Sequence, residues 1–340
     1  MRSEPVAHVG GLWGTGLIEI SSDWQRLEAG GTWAVVIPFS GTPTFARFEK
    51  WSAKPPEGGV GMWSGVDPGS WNSSATRSDY LDQVGRAQSA IERGDVYQVN
   101  ICRMLTAAVS EGDDIAALHR LLLDHNPAPY SALVRLPEQG LHVACASPEL
   151  FIRREGARIT SGPIKGTGVL AADLLDKDRA ENVMIVDLVR NDLSRVAEVG
   201  SVEVSGLLET EQHPGLVHLV SYISARLRTG VTWADVMDAT FPPGSIAGAP
   251  KSSALHIIDQ LENAPRDIYC GAIGLVDVDQ QVASLAVAIR TFWMSNGLVH
   301  FGTGAGITWG SDAEAEWRET ELKAAHLCDV AAMVWQGDPS

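Results

Sequence analysis

Three strand-like runs follow one another between two helical segments, and that order constrains the fold of this chain most. The runs are "GAIGLVDVD", "VASLAVAIRTFWM" and "LVHFGTGAGITW", flanked by helical patterns near 250–263 and 313–331. Further helices are expected near 177–196 and 232–240. A βαβ repeat would alternate the two element types, so consecutive strands beside long helices predict an α+β architecture. Other strands are read in "TWAVVIPF", "LHVACAS" and "LFIRREGARI", the last with a turn at "EG". In "DVYQVNICRML", Val96, Gln98 and Asn100 alternate with Tyr97, Val99 and Ile101, a strand pattern with one polar face. Ser78 is placed to cap a helix whose stripe is Leu81, Val84, Ala87 and Ile91, ending at Gly94. Thr232 and Asp235 have capping-box spacing, and Pro250 suits a first helical position. Residues 1–75, rich in Gly, Trp and turn-like stretches, are read as a shortened N-terminal region packing on the core. The main domain is expected over 76–336.

Charge narrows the function classes. Lys and Arg number 26 against 42 Asp and Glu, a formal net charge of −16. Such a surface repels nucleic acid, whose binding rests on cationic contacts to phosphates. An anionic small substrate would need a local cation, from basic side chains or from a metal held by carboxylates. No run of eighteen apolar residues is present, so a membrane span is not expected. The start "MRSEPVAHVG" has no secretory pattern, and Cys102, Cys145, Cys270 and Cys328 form no CxxC pair. Both fit a reducing cytoplasm.

Several stretches could carry chemistry. In "SGPIKGTG", read as a loop, Lys165 sits among glycines and a proline, which permit close approach to a ligand and stiffen the segment. So constrained a mount suits a nucleophile, although a buried ion pair or an anion site would use it equally well. Asp178 and Glu181 lie three apart on one predicted helix, and Glu316 and Glu319 three apart on another, so each pair shares a helix face. Facing each other, the pairs would make an all-oxygen site suited to Mg²⁺; apart, each is a solvated acidic face. Glu149, in "ASPELF", stands in an apolar context that would raise its pKa and suit a general acid, or else at an exposed edge. "PPGSIAGAPKS" superficially resembles a phosphate loop, but Pro250 removes an amide such a loop needs, which leaves a glycine-rich turn into a helix N-terminus. "GTGAG" is read as a second such turn, aiming amides at a carboxylate or simply turning tightly. Arg290 closes an apolar strand, where it could fork onto a carboxylate or reach to the surface. His218, apolar-flanked, is by default a satisfied core histidine.

Taken in order, "GDVYQVN", "SPELF", "SGPIKGT", "KDRAENVMIVDLVRNDLSRVA", "FPPGSIAGAPK", "YCGAIG", "AIRT", "GAGI" and "SDAEAEWRETELKA" resemble the chorismate-utilising enzymes, from about Ser78 to Val334. The resemblance implies a chorismate-binding catalytic domain of two packed antiparallel sheets with helices outside. It implies that Glu181 and Glu319 hold Mg²⁺, with Asp178 and Glu316 beside them; the family usually has Glu in place of Asp178. It further implies that Arg290, Tyr269 and the amides of Gly304 and Gly306 grip the enolpyruvyl carboxylate. His218 would lie against the ring, Gln98, Thr167 and Ser245 would line the substrate, and Glu149 would protonate the departing 4-hydroxyl. Isochorismate and salicylate synthases carry a lysine base where this chain has Gln98, which cannot deprotonate water. Anthranilate synthases read Pro-Ile-Ala-Gly-Thr where this chain reads Pro-Ile-Lys-Gly-Thr, as aminodeoxychorismate synthases do. In that branch the lysine attacks ring C2, and ammonia from a separate glutamine amidotransferase then enters at C4, toward 4-aminobenzoate and folate. Anthranilate synthase component I and an inactive chorismate-binding scaffold are the alternatives.

Overall fold

The computed structural model describes residues 4–56, 61–168, 170, 176–213 and 216–336. Its named strands form one antiparallel network that divides into two sheets. The first runs Leu12–Ser21, Thr44–Ser52, Thr32–Ile37, Ala272–Asp277, Val282–Val287, Leu150–Glu155, Arg158–Gly162 and Leu216–Arg226. Leu216–Arg226 also pairs with Glu203–His213 and with Ile164–Gly168. The second runs Val6–Val9, Tyr130–Leu136, Leu141–Ser147, Thr291–Ser295, Leu298–Ile307 and Gln98–Ala108. Val6–Val9 pairs with Leu12–Ser21 and so joins the two. The N-terminal residues therefore enter both sheets; Thr32–Ile37 matches Ala272–Asp277 residue for residue.

Alternation along Gln98–Ala108 shows how the layers stack. Cys102 and Met104 point into a core shared with Val35, Ile273 and Leu285 of the first sheet. Val99 and Ile101 point the other way, onto Tyr80 and Val84 of helix Arg77–Glu92 and Ala254 and Ile258 of helix Lys251–Leu261. Leu105, with Phe292 and Phe301, packs on Leu118 of helix Ile115–His125 and Leu327 of helix Ala313–Ala331. A period of two thus sends one face to the other sheet and one to the helices. The arrangement is the expected α+β one, with two antiparallel sheets packed together and helices outside.

Local expectations fare unevenly. Helices Asp176–Ser194, Trp233–Thr240, Lys251–Leu261 and Ala313–Ala331 lie where the periodicity puts them, and Thr232 and Asp235 form a reciprocal capping box. The helix read from Ser78 instead begins at Arg77 and is capped by Thr76, whose hydroxyl and Asp79 exchange backbone bonds. "GTGAG" is not a turn. Gly302–Gly306 lie inside strand Leu298–Ile307, with Gly302, Gly304 and Gly306 opposite Met104, Cys102 and Asn100. Glycine at every second position strips one strand face of side chains without bending it. A Cβ on Gly302 would fall within the Tyr269 ring, one on Gly304 against Cys102 Sγ, and one on Gly306 against the Gln98 amide. Lys165, too, sits on a strand rather than a loop, Ile164–Gly168, which pairs Ile164 with Val220 and Thr167 with His218. The register shifts between those pairs, where Gly166 adopts φ +87°. One glycine in the left-handed region supplies the bulge, so the segment pairs on both sides of it.

One buried ion pair ties these layers together. The Arg266 guanidinium donates to both Glu262 carboxylate oxygens and to the carbonyls of Ile246 (2.9 Å) and Asn100 (3.0 Å). The Cys102 amide donates back to Glu262 at 2.9 Å, and Phe39 lies under the guanidinium. The two side chains are 1% and 5% exposed. Removing one member of such a pair strands a buried charge, whereas removing both does not. Arg266→Met is expected to cost about 3–5 kcal/mol in urea unfolding, and adding Glu262→Leu to recover part of it. A double variant less stable than Arg266→Met would refute this account.

Candidate functional site

The glycine strand opens a floor between the sheets, and polar groups gather over it. Lys165 reaches there from strand Ile164–Gly168 and donates from Nζ to the Ser245 carbonyl at 3.1 Å. Asn100 Nδ2 donates to that carbonyl at 2.8 Å. Ser245 is buried in the short helix Gly244–Ala247, and its hydroxyl bonds the Glu149 carboxyl. Glu149 stands between strands Leu141–Ser147 and Leu150–Glu155, 4% exposed, with its amide donating to Ser147 Oγ at 3.1 Å.

Burial dominates the electrostatics. It raises the Glu149 pKa to about 7, opposed by the Ser245 hydrogen bond and the charge of Lys165. The same loss of solvent lowers the pKa of Lys165, opposed by Glu181, Glu149 and Glu319 and assisted by Lys323. These charged side chains are therefore close enough to feel one another's charge, although they come from four separate stretches of sequence. A protonated carboxyl and an amine inclined to lose its proton, side by side, are an acid and a nucleophile.

The carboxylate helices converge on the same place. Glu181 lies on helix Asp176–Ser194 beside Asn182, which donates to the Leu219 carbonyl at 3.2 Å and accepts from Ser221 Oγ at 2.5 Å. That fully buried amide pins the helix to the strand bearing His218. On helix Ala313–Ala331, Glu316 is 3% exposed, and Glu319 pairs with Lys323 at 2.6 Å. The side chains of Asp178 and Thr167 lie outside the described residues, with the Asp178 backbone in the same helix as Glu181. Among the described residues no three His, Cys, Asp or Glu side chains cluster as a metal shell by themselves. Glu181 and Glu319, both acting on Lys165, are oxygen donors of the type Mg²⁺ takes, and Mg²⁺ commonly uses one or two carboxylates with the rest from substrate and water.

The remaining predicted residues surround this cluster. Tyr269 is buried against Gly302, and burial first of all raises its pKa well above that of a free phenol, so the hydroxyl stays a donor. Arg290 adopts φ +52°, and its guanidinium has no hydrogen bond or ion pair to a described residue. Its backbone carbonyl accepts from Ala146, three residues before Glu149. A strained backbone at a half-buried arginine with no anionic partner among the described residues suits an external anion. His218 is 2% exposed and registers with Thr167. Gln98 is fully buried and Asn100 nearly so, and among the described residues neither amide atom of Gln98 nor Asn100 Oδ1 has a hydrogen-bond partner. Buried polar atoms are seldom left so; these fill the place where a Gly306 Cβ would stand, and their open hydrogen-bonding positions suit a polar ligand.

Two residues escaped the sequence reading. Lys323 Nζ donates to the Gly304 carbonyl at 3.0 Å as well as to Glu319, adding a cation at the glycine floor. Its signal was present: it follows Glu319 by four, one turn along the same face. Asn100 was read only as part of a polar strand face, and nothing local reveals that it shares the Ser245 carbonyl with Lys165.

Comparisons with known proteins fit this geometry. Residues 63–329 match the family model described as chorismate binding enzyme. The chain is 40% identical over 279 residues to anthranilate synthase component 1 1 of Haloarcula marismortui, covering 78% of this chain and 56% of that protein. It is 41% identical over 262 residues to aminodeoxychorismate synthase component 1 of Escherichia coli, covering 74% and 57%. The chain thus spans a little over half the length of these curated relatives. Among solved structures, a putative 2,3-dihydroxybenzoate-specific isochorismate synthase from Bacillus anthracis superposes with TM-score 0.80 at 20% identity, covering 97% of this chain and 96% of that one. Anthranilate synthase component I from Streptococcus pneumoniae gives 0.76 at 24% identity, covering 95% and 89%. These likenesses establish the fold. No helix among the described residues is long and apolar enough to cross a membrane.

The raised pKa of Glu149 has a consequence for stability. A carboxyl held at about 7 in the folded protein, against about 4.3 when unfolded, keeps its proton preferentially in the folded state. Its stabilising contribution is complete below about pH 4.3 and is lost as the pH rises through about 7, roughly 4 kcal/mol in all. Glu149→Gln should therefore gain stability relative to wild type between about pH 5 and 8, measured by urea unfolding at both. An equal difference at the two pH values would show that Glu149 titrates normally.

Proposed function

The chain belongs to the chorismate binding enzyme family, and from that membership we propose that it makes 4-amino-4-deoxychorismate from chorismate and ammonia. The observation that carries this reading is Lys165, half-buried, with Nζ hydrogen-bonded to the Ser245 carbonyl within charge reach of Glu149. Matches to anthranilate and aminodeoxychorismate synthases are equally close, so this lysine, not overall identity, favours amination at C4.

In the proposed reaction, neutral Lys165 attacks ring C2 while the C4–O bond breaks and the ring double bonds shift. Glu149 gives its proton to the departing oxygen, which leaves as water. Ammonia then bonds to C4, the C2–N bond breaks, and its electron pair returns to Lys165, restoring the neutral amine. The new ammonium at C4 returns one proton to Glu149. Chorismate and ammonia thus become aminodeoxychorismate and water, with both protein groups regenerated. Occupying C2 directs the incoming nitrogen to C4.

Local chemistry supports each role. A free lysine, of pKa about 10.4, is unprotonated in roughly one molecule in a thousand near neutral pH, and burial moves Lys165 toward the reactive form. Glu149, with a pKa of about 7, keeps its proton in about half of the molecules at pH 7, where a free glutamate would be almost wholly ionised. Glu181 and Glu319, aided by Glu316 and Asp178, would hold Mg²⁺, which would neutralise the ring carboxylate. Arg290, Tyr269 and Lys323 supply a cation, a donor and a second cation for the other carboxylate. An acidic protein could in this way bind a dianion through local positive charge. The relatives are named component 1; in this reading a glutamine amidotransferase subunit delivers the ammonia in the cytoplasm, for 4-aminobenzoate and folate.

Incubation with chorismate, Mg²⁺ and ammonium, followed by aminodeoxychorismate lyase, is expected to yield 4-aminobenzoate. Anthranilate or salicylate would overturn the reading, and no turnover would favour a binding scaffold. Without ammonia, intact mass should show a chorismate-derived adduct that is absent in Lys165→Ala. Glu149→Gln is expected to lower kcat by about 10²–10⁴.

A further inference from the structure

Lys251 lies near the end of "PPGSIAGAPKS", the stretch with a superficial likeness to a phosphate loop, yet its ammonium is turned inward. Nζ donates to Asp192 Oδ2 at 2.6 Å and to the Thr240 carbonyl at 2.9 Å, with the two side chains 16% and 8% exposed. Thr240 ends helix Trp233–Thr240, and Lys251 begins helix Lys251–Leu261. One ammonium therefore closes the segment 241–250 at both ends. That segment contains Ser245, whose carbonyl receives Lys165 and whose hydroxyl bonds Glu149.

Asp192 adds the third tie. It lies eleven residues after Glu181 on helix Asp176–Ser194, about three turns along, and so on the same face. The helix touches the closed segment again at Leu188, which fills the space where a Gly244 Cβ would stand. Asp192 and Thr240 line one small cavity together with Glu149, Gly244 and Ser245. A lysine at the first position of a helix faces the unfavourable end of the helix dipole and loses solvent as well, so its place here demands the two acceptors.

We propose that Lys251, held by Asp192, is a positioning residue that fixes the Ser245 carbonyl and through it the orientation and burial of the Lys165 amine. The inference deepens the reading of Lys165 as nucleophile and rests on it.

The test compares wild type, Lys251→Met, Lys251→Arg and Asp192→Asn as full chains, with folding checked by circular dichroism and thermal unfolding. Each is labelled with trace acetic anhydride across a pH series, and acetylation of Lys165 is followed by peptide mass. Loss of the staple should let water reach Lys165, raising its labelling midpoint by about one pH unit in Lys251→Met and Asp192→Asn. Lys251→Arg, which keeps the charge, should stay nearer wild type. In the amination assay, kcat should fall about tenfold in the two disrupted variants while KM for chorismate stays within about twofold. An unchanged Lys165 midpoint in the folded variants, or an effect confined to KM, overturns the proposal. If Lys251→Met does not fold, Asp192→Asn decides alone, since it preserves volume and the Thr240 bond. Labelling requires neither chorismate nor ammonia, so a wild type that does not aminate chorismate would refute the functional reading and leave this result standing.

Discussion

The Arg266 guanidinium is the constraint on which the rest of the structure depends. It is buried against Phe39 and neutralised by Glu262, and it spends its other donors on the carbonyls of Asn100 and Ile246. Those contacts join the strand carrying Gln98 and Cys102 to the short helix carrying Ser245. A buried pair of this kind contributes little net stability against an apolar replacement. Its directional bonds do something an apolar contact cannot, because each carbonyl must come to one place. The same logic recurs at Asn182 between helix and strand and at Lys251 across the segment 241–250. Polar groups with no contact to a ligand hold the framework around those that would make one.

The glycine strand is the complementary device. Apolar positions Val299, Phe301, Ala305 and Ile307 bind the outer helices, while Gly302, Gly304 and Gly306 leave the inner face bare. Into that space come Tyr269, Cys102 and Gln98, with Lys323 anchored on the Gly304 carbonyl. Floor and walls thus differ in kind: backbone below, and long polar side chains around it. Burial then sets the chemistry, raising the pKa of Glu149 and lowering that of Lys165, two opposite shifts with one cause.

Much of this was legible beforehand, for specific reasons. Helical periodicity located Asp176–Ser194 and Ala313–Ala331 because their apolar stripes face a sheet, and alternation located Gln98–Ala108 because its two faces meet different neighbours. The misreadings share an origin. "SGPIKGTG" and "GTGAG" read as a loop and a turn because glycine usually marks them. In this fold one glycine supplies a bulge, and the others clear a strand face. Local sequence does not separate these uses, since the deciding fact is what lies across the sheet.

By itself the sequence determined the α+β class, the order of its elements and the chemical types present: two spaced carboxylate pairs, a glutamate in an apolar run, and one lysine in a glycine-rich stretch. Those are properties of neighbouring residues, set by side-chain period and by what each functional group can do. Only the tertiary structure decided that Lys165 meets Ser245, that Glu149 stands beside it, and that Lys251 turns inward to Asp192 rather than out to a phosphate. Each of those contacts joins residues far apart in the chain, and the loss of solvent that sets their protonation comes only when two sheets and their helices close over them.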